Sequence, residues 1–171
     1  MRRNFRQIKD RNIIAAHIQL CTTPWTQTYA YFYTSDHTLC GRTNFGLHEL
    51  TGKICSVYLF SAIYNQMQDV QISACMTAYT DKYGQTLIIV FDEVLCFGTS
   101  MDHSLINPNY IHMAVITVSD CPFDEIQKID IAHEKVFIHF VTDGTTVYLD
   151  SRIPTQREII ECTHIFMTGD T

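Results

Sequence analysis

The stretch Phe91-Asp92-Glu93-Val94-Leu95-Cys96-Phe97-Gly98-Thr99-Ser100-Met101-Asp102-His103-Ser104-Leu105-Ile106-Asn107-Pro108-Asn109 decides the fold. Its first part ends in Leu95-Cys96-Phe97-Gly98 and reads as a buried strand. A glycine at such a strand's end marks a place where backbones approach closely. A polar turn follows. Asn107-Pro108-Asn109 then predicts a bend, or a proline in the first turn of a short helix.

Working outward, residues 70–80 and 85–97 are two strand-like runs joined by Asp81-Lys82-Tyr83-Gly84. A polar four-residue connection ending in glycine predicts a β-hairpin. Residues 29–34 are aromatic and β-prone. Residues 41–52 carry glycines at both ends and one between, which predicts turns, and residues 53–60 alternate in part. Beyond the opening stretch, residues 114–118 return to strand character and 122–128 read as a turn. Residues 129–131, 135–142 and 145–150 are three further short strands. Asp143-Gly144 between the last two is a two-residue hairpin signal. Thr155-Gln156-Arg157-Glu158 is a capping box, with Pro154 before it and Ile159, Ile160 and Cys162 after it, so a short helix is expected. The residues therefore predict an all-β fold with two short helices.

At 171 residues, with 46% hydrophobic and 18% charged residues, the chain has the composition of a globular domain with its own core. A net charge of −6 argues against a nucleic-acid surface, which needs clustered Lys and Arg. The basic cluster is Arg2, Arg3, Arg6, Lys9 and Arg11, read as a solvated arm over residues 1–28. No apolar run reaches the ~18 residues of a membrane span. No apolar segment follows the N-terminal charges, so a secretory signal is not expected. The seven cysteines are odd in number, widely spaced and without a C-x-x-C pair. They read as reduced core residues of an intracellular, cytoplasmic protein.

The word His103-Ser104-Leu105-Ile106-Asn107-Pro108-Asn109 resembles one found in the protease region of copia-type retrotransposon polyproteins. Shorter words match in the same order. They are Asn44-Phe45, Leu50-Thr51-Gly52-Lys53-Ile54-Cys55, Ala78-Tyr79-Thr80-Asp81, Gly84-Gln85-Thr86 and Val90-Phe91-Asp92-Glu93. Cys121-Pro122-Phe123-Asp124, Asp143-Gly144-Thr145-Thr146-Val147 and Arg152-Ile153-Pro154-Thr155 continue the series. The resemblance covers roughly residues 29–171. It implies a retropepsin-like closed β-barrel lobe over 29–118, with a C-terminal β-extension over 119–171 packed against it. In that family a strand leads into an Asp-Thr/Ser-Gly loop. About sixty residues later come an apolar-apolar-Gly strand and a short helix. Two chains pair so that two Asp carboxylates share one proton and activate water. The resemblance therefore implies a homodimer acting on peptide or polyprotein, with no cofactor and no metal.

Counting back from Asn44-Phe45 without gaps, the family's catalytic Asp falls on Tyr33. Its bracing hydroxyl falls on Thr34 and its small residue on Ser35. In the copia-type relatives the loop reads Asp-Ser-His-Ala-Asp-Thr-Cys; its second Asp falls on His37 and the following Thr on Thr38. Gly98, 65 positions after Tyr33, takes the loop-supporting glycine position. A tyrosine hydroxyl ionises near pH ~10 and is no base at neutral pH. The nearest acid is Asp36, the candidate catalytic residue if the loop is shifted, otherwise a turn residue capping local N–H groups. A shift of three residues moves a side chain by more than catalysis tolerates.

Three functions suit these residues. One is an inactive protease-like domain, as a decayed copy or polyprotein fragment. The second is an active endopeptidase using Asp36, and the third a non-catalytic peptide-binding or dimerisation module. Asp102-His103 reads as a turn rather than an acid–base pair. His133 and His139 share strand parity but lack a third ligand at zinc spacing. Cys40 beside His37 reads as a small buried residue rather than a nucleophile. The glycine-free stretch 58–71 gives no compositional support for a mobile flap.

Overall fold

The computed structural model describes residues 13–15, 29–32, 38–41, 44–59, 67–101, 103–131 and 135–168. Its longest elements are β4 (Gly46–Leu59), β5 (Met67–Thr80) and β6 (Thr86–Gly98), which pair in sequence as antiparallel neighbours. The β5–β6 connection is the expected hairpin. The Asp81 carboxylate accepts N–H bonds from Tyr83 and Gln85, each 2.8 Å, and Gly84 takes a left-handed φ of +84°. This is the reason for an Asp at the start and a Gly at the end of that turn.

β6 is the organising strand. Leu87, Ile88, Ile89, Val90 and Phe91 are all buried, so both of its faces are covered. One edge lies along β5 throughout. The other edge serves two partners in turn. Leu87–Val90 pair in parallel with β13 (Thr163–Phe166), and Leu95–Gly98 pair in parallel with β3 (Leu39–Gly41). Between these halves Glu93 has φ +50°, and the Asp92 N–H donates to Thr168 Oγ1 at 2.7 Å.

Beyond β3 the sheet continues through β7 (Ser104–Ile106), β2 (Tyr29–Phe32), β12 (Thr146–Asp150) and β11 (Val141–Asp143). At its other end β1 (Ile13–Ala15) runs parallel to the last residues of β4. A second sheet holds β8 (Thr117–Ser119), β9 (Lys128–Ile131) and β10 (Val136–His139). The short helices are α1 (Pro108–Met113) and α2 (Gln156–Glu161). The main core joins Phe45, Phe91 and Ile106 to Ile111, Ile129, Ile138 and Leu149, so both sheets and α1 share one apolar interior.

The all-β character with two short helices is what the residue pattern predicted. The expected closed barrel is not formed: among the described residues the sheet is open, with β1 and β11 at its ends. The C-terminal strands explain this. β12 takes the free edge of β2, and β13 takes half an edge of β6, so these edges pair with new strands rather than with each other.

Three local expectations are also corrected. Residues 46–52 form strand rather than turns. Their glycine at 52 (φ +71°) sits in a bulge, where Leu50 and Lys53 face the adjacent residues Ser73 and Ile72. The run 135–142 divides into β10 and β11, which belong to different sheets. The β11–β12 hairpin is present, but Asp143 pairs with Thr146, so its two loop residues are Gly144 and Thr145. Gly144 has φ +60° at the first loop position, as a type II′ turn requires.

Pro108 stands in the first turn of α1, and the Asn107 side chain accepts the Asn109 N–H at 2.9 Å. At the other end Val115 has φ +66°, its N–H donates to His112 O, and it is 81% exposed. A β-branched residue in this conformation is strained and gains no packing in return. Val115→Gly is expected to stabilise the fold by about 1 kcal/mol, measured by urea unfolding.

In α2 the capping box forms as expected, with Thr155 and Glu158 bonded reciprocally. Arg152 adds a bidentate pair to Glu158. That guanidinium, helped by the Thr155 N–H, brings the Glu158 carboxyl down to about 2. A depressed carboxyl stabilises the fold fully above its ordinary range and loses that contribution as pH falls. Melting temperature is expected to drop from pH 4.5 towards pH 2, and Glu158→Gln to flatten part of that slope.

Candidate functional site

Tyr33, Thr34, Ser35, Asp36 and His37 lie outside the described residues, as do Asp102 and His133. What is described is the framework on either side of 33–37. β2 ends at Phe32, whose register partner on β7 is Ile106. β3 begins at Leu39, whose partner on β7 is the adjacent Leu105. β7 therefore stands between the two strands that bracket 33–37, parallel to β2 and antiparallel to β3. α1 starts two residues after β7.

Thr38 is fully buried at the exit of the bracketed segment. Its carbonyl accepts the Leu95 N–H at 3.0 Å, and its hydroxyl accepts the Asn107 N–H at 3.2 Å. One residue thus ties the segment both to β6 and to the β7–α1 junction.

A second knot lies at the far end of β3. The Ser104 hydroxyl accepts the Gly41 N–H at 2.9 Å and donates to Asn44 Oδ1 at 2.9 Å. The Asn44 carbonyl accepts from Thr77 Oγ1 at 2.7 Å. The Thr77 hydroxyl also lies 3.1 Å from the Arg152 carbonyl, and Arg152 and Ala78 exchange both backbone bonds, at 2.8 and 3.0 Å. Thr38, Asn44, Thr77, Ser104 and Asn107 are all buried, which makes this a polar seam inside the core. Buried polar groups are retained when they are bonded, and most of these groups are. Among the described residues the Asn44 Nδ2 has no hydrogen-bond partner.

Gly98 has φ +54° and stands opposite Gly41 in the β3–β6 register. It closes β6, and β7 lies between it and α1. Gly41 carries the tighter constraint, because a Cβ there would sit 2.5 Å from the Met101 carbonyl oxygen. Its close neighbours are the backbone of Met101 and His103, so the contact cannot be relieved by rotating a side chain.

Cys40 is buried, in keeping with the packing role read for it. His139 is exposed, and its N–H donates to the Tyr79 hydroxyl at 3.1 Å. Among the described residues no group of three His, Cys, Asp or Glu side chains is placed to hold a metal ion. The described carboxyl that burial raises is Asp92, half-buried on β6. His48 opposes the shift, while Glu49 and Glu93 reinforce it. Tyr110 is pushed up to about 12, first by burial and then by Glu93 and Asp92. Sequence reading had no signal for Asp92, because its burial depends on tertiary packing. The roles of Ser104 and Asn44 were also missed, although both stand in words that carried the resemblance.

Comparison with known proteins finds no matching family model, no matching curated protein and no matching solved structure. Among the described residues no helix is long and apolar enough to cross a membrane.

Ser104→Ala removes the acceptor for the Gly41 N–H and the donor to Asn44 together. A loss of about 2–4 kcal/mol is expected in urea unfolding. Gly41→Ala is expected to cost at least as much, since backbone must move to admit the methyl.

Proposed function

We propose that this chain is a retrotransposon-derived aspartic protease-like domain that has lost its catalytic acid and acts without cleaving peptide bonds. The supporting observation is the placement of the words that carried the resemblance. Asn44 bonds to Ser104 of the 103–109 word, and the Phe45 and Phe91 rings lie 5.7 Å apart. Ala78 pairs with Arg152. Stretches far apart in sequence thus meet in the fold. The order of the described elements also suits the family pattern: β2 comes before 33–37, β6 ends in the apolar-apolar-Gly run Leu95-Cys96-Phe97-Gly98, and the short helix α1 follows.

What that framework brackets is Tyr33-Thr34-Ser35-Asp36-His37. At the position of the family's shared-proton acid stands a phenol, which cannot serve as a base near neutral pH. Asp36 lies three positions further on, and proton abstraction from water depends on placement to within about an ångström. The remaining activity is recognition. An extended peptide or a second copy of the chain is the partner class that the fold's ancestry offers.

The test uses purified protein, a peptide library at acidic and neutral pH, and a pepstatin-type inhibitor. The natural chain is expected to show no inhibitor-sensitive cleavage. Tyr33→Asp is expected to raise such cleavage by at least about a hundredfold over the natural chain. Inhibitor-sensitive cleavage by the natural chain, lost in Asp36→Asn, would overturn the reading and assign the acid to Asp36. Sedimentation of the same samples reports whether two copies associate.

A further inference from the structure

Three cysteines converge behind β3. Cys40 on β3 and Cys75 on β5 belong to the main core, with 1% and 2% exposure, and Cys96 on β6 packs against that core while only partly buried. Cys40 and Cys96 are direct register partners in the parallel β3–β6 ladder. Partners on adjacent strands lie about 4.8 Å apart, within the roughly 4.4–6.8 Å between Cα atoms that a disulfide spans. The Cys75 thiol hydrogen-bonds to both of the others. Cys55, Cys121 and Cys162 stand outside this group.

We propose that Cys40, Cys75 and Cys96 form a peroxide-sensitive thiol cluster that closes a Cys40–Cys96 disulfide. Cys96 is the sulfur a peroxide reaches first, because its two neighbours are sealed in the core. Its thiolate attacks one peroxide oxygen, the O–O bond breaks, and water leaves after protonation, giving a sulfenic acid. The Cys40 sulfur then attacks the Cys96 sulfur. The S–S bond forms, the S–O bond breaks, and a second water departs with the Cys40 proton. Two thiols are oxidised by two electrons in total, and one hydrogen peroxide is reduced to two waters.

Cys75 is the spectator. Its hydrogen bond to Cys40, with burial, holds its thiol well above the usual range, so it remains protonated. The bond ties β3 to β6 next to Thr38, whose carbonyl already accepts the Leu95 N–H. Oxidation therefore fastens the exit of segment 33–37 to the central strand. This inference stands on the ladder and the core packing, and does not depend on protease ancestry.

The test is peptide mapping of the folded full chain after mild peroxide treatment and alkylation. The expected result is a Cys40–Cys96 cross-linked peptide, with Cys55, Cys75 and Cys162 alkylated. The urea midpoint is expected to rise on oxidation and to return with dithiothreitol. Cys96→Ser should abolish the cross-link. If that variant does not fold, diamide treatment of the natural chain reports on the same pair. Three results refute the proposal: Cys40 and Cys96 fully alkylated while Cys121 is oxidised, Cys75 in the cross-link, or a cross-link that forms only in unfolding urea.

Discussion

β6 must satisfy two different neighbours along a single edge, and the rest of the architecture follows from that constraint. An ordinary strand pairs with one partner on each side for its whole length. Here the hydrogen-bonding direction is handed from β13 to β3 at Asp92-Glu93. The positive φ of Glu93 redirects the chain there. The Thr168 hydroxyl receives the Asp92 N–H that neither strand reaches. A buried N–H without an acceptor costs on the order of a full hydrogen bond, so this one side chain lets a core strand change partners. The first half of β6 thereby anchors the C-terminal segment. The second half anchors the framework around 33–37.

That framework is polar where it is most buried. Thr38 and Ser104 act at opposite ends of β3, and each bonds to groups from segments more than fifty residues away in sequence. Apolar packing alone would let short strands such as β3 and β7 slide, because three-residue ladders carry few bonds. Directional bonds from hydroxyls fix their register. The contact between Gly41 and the Met101 carbonyl does the same by exclusion, since only a residue without a Cβ fits there.

Much of the fold was legible locally. Asp81 and Gly84, Gly144, and the Thr155–Glu158 box each specify their turn or cap through contacts within a few residues, so the sequence carries them openly. The open sheet was not legible, because edge choice by β12 and β13 depends on surfaces that only the assembled core creates. Gly52 misled for a related reason. A left-handed glycine serves a turn or a bulge equally well, and the partner strand decides between them. The candidate segment 33–37 rests on the order of the matching words alone, and the absence of an acid at position 33 is a fact of the sequence. The bonds joining Asn44 to Ser104 were not legible, since nothing in either residue names its distant partner.

The bulges of β4 have a bearing on how this chain behaves among its own copies. Among the described residues, Gly46–Ser56 have a strand neighbour on one side only, and Leu47, Leu50 and Ile54 are exposed there. A long apolar edge of this kind ordinarily recruits another chain's strand. In β4 the ladder is broken after Leu47 and again after Leu50, with left-handed Gly52 and charged Lys53 adjoining. An incoming strand therefore meets no unbroken row of donors and acceptors, and edge-to-edge aggregation finds no template along β4.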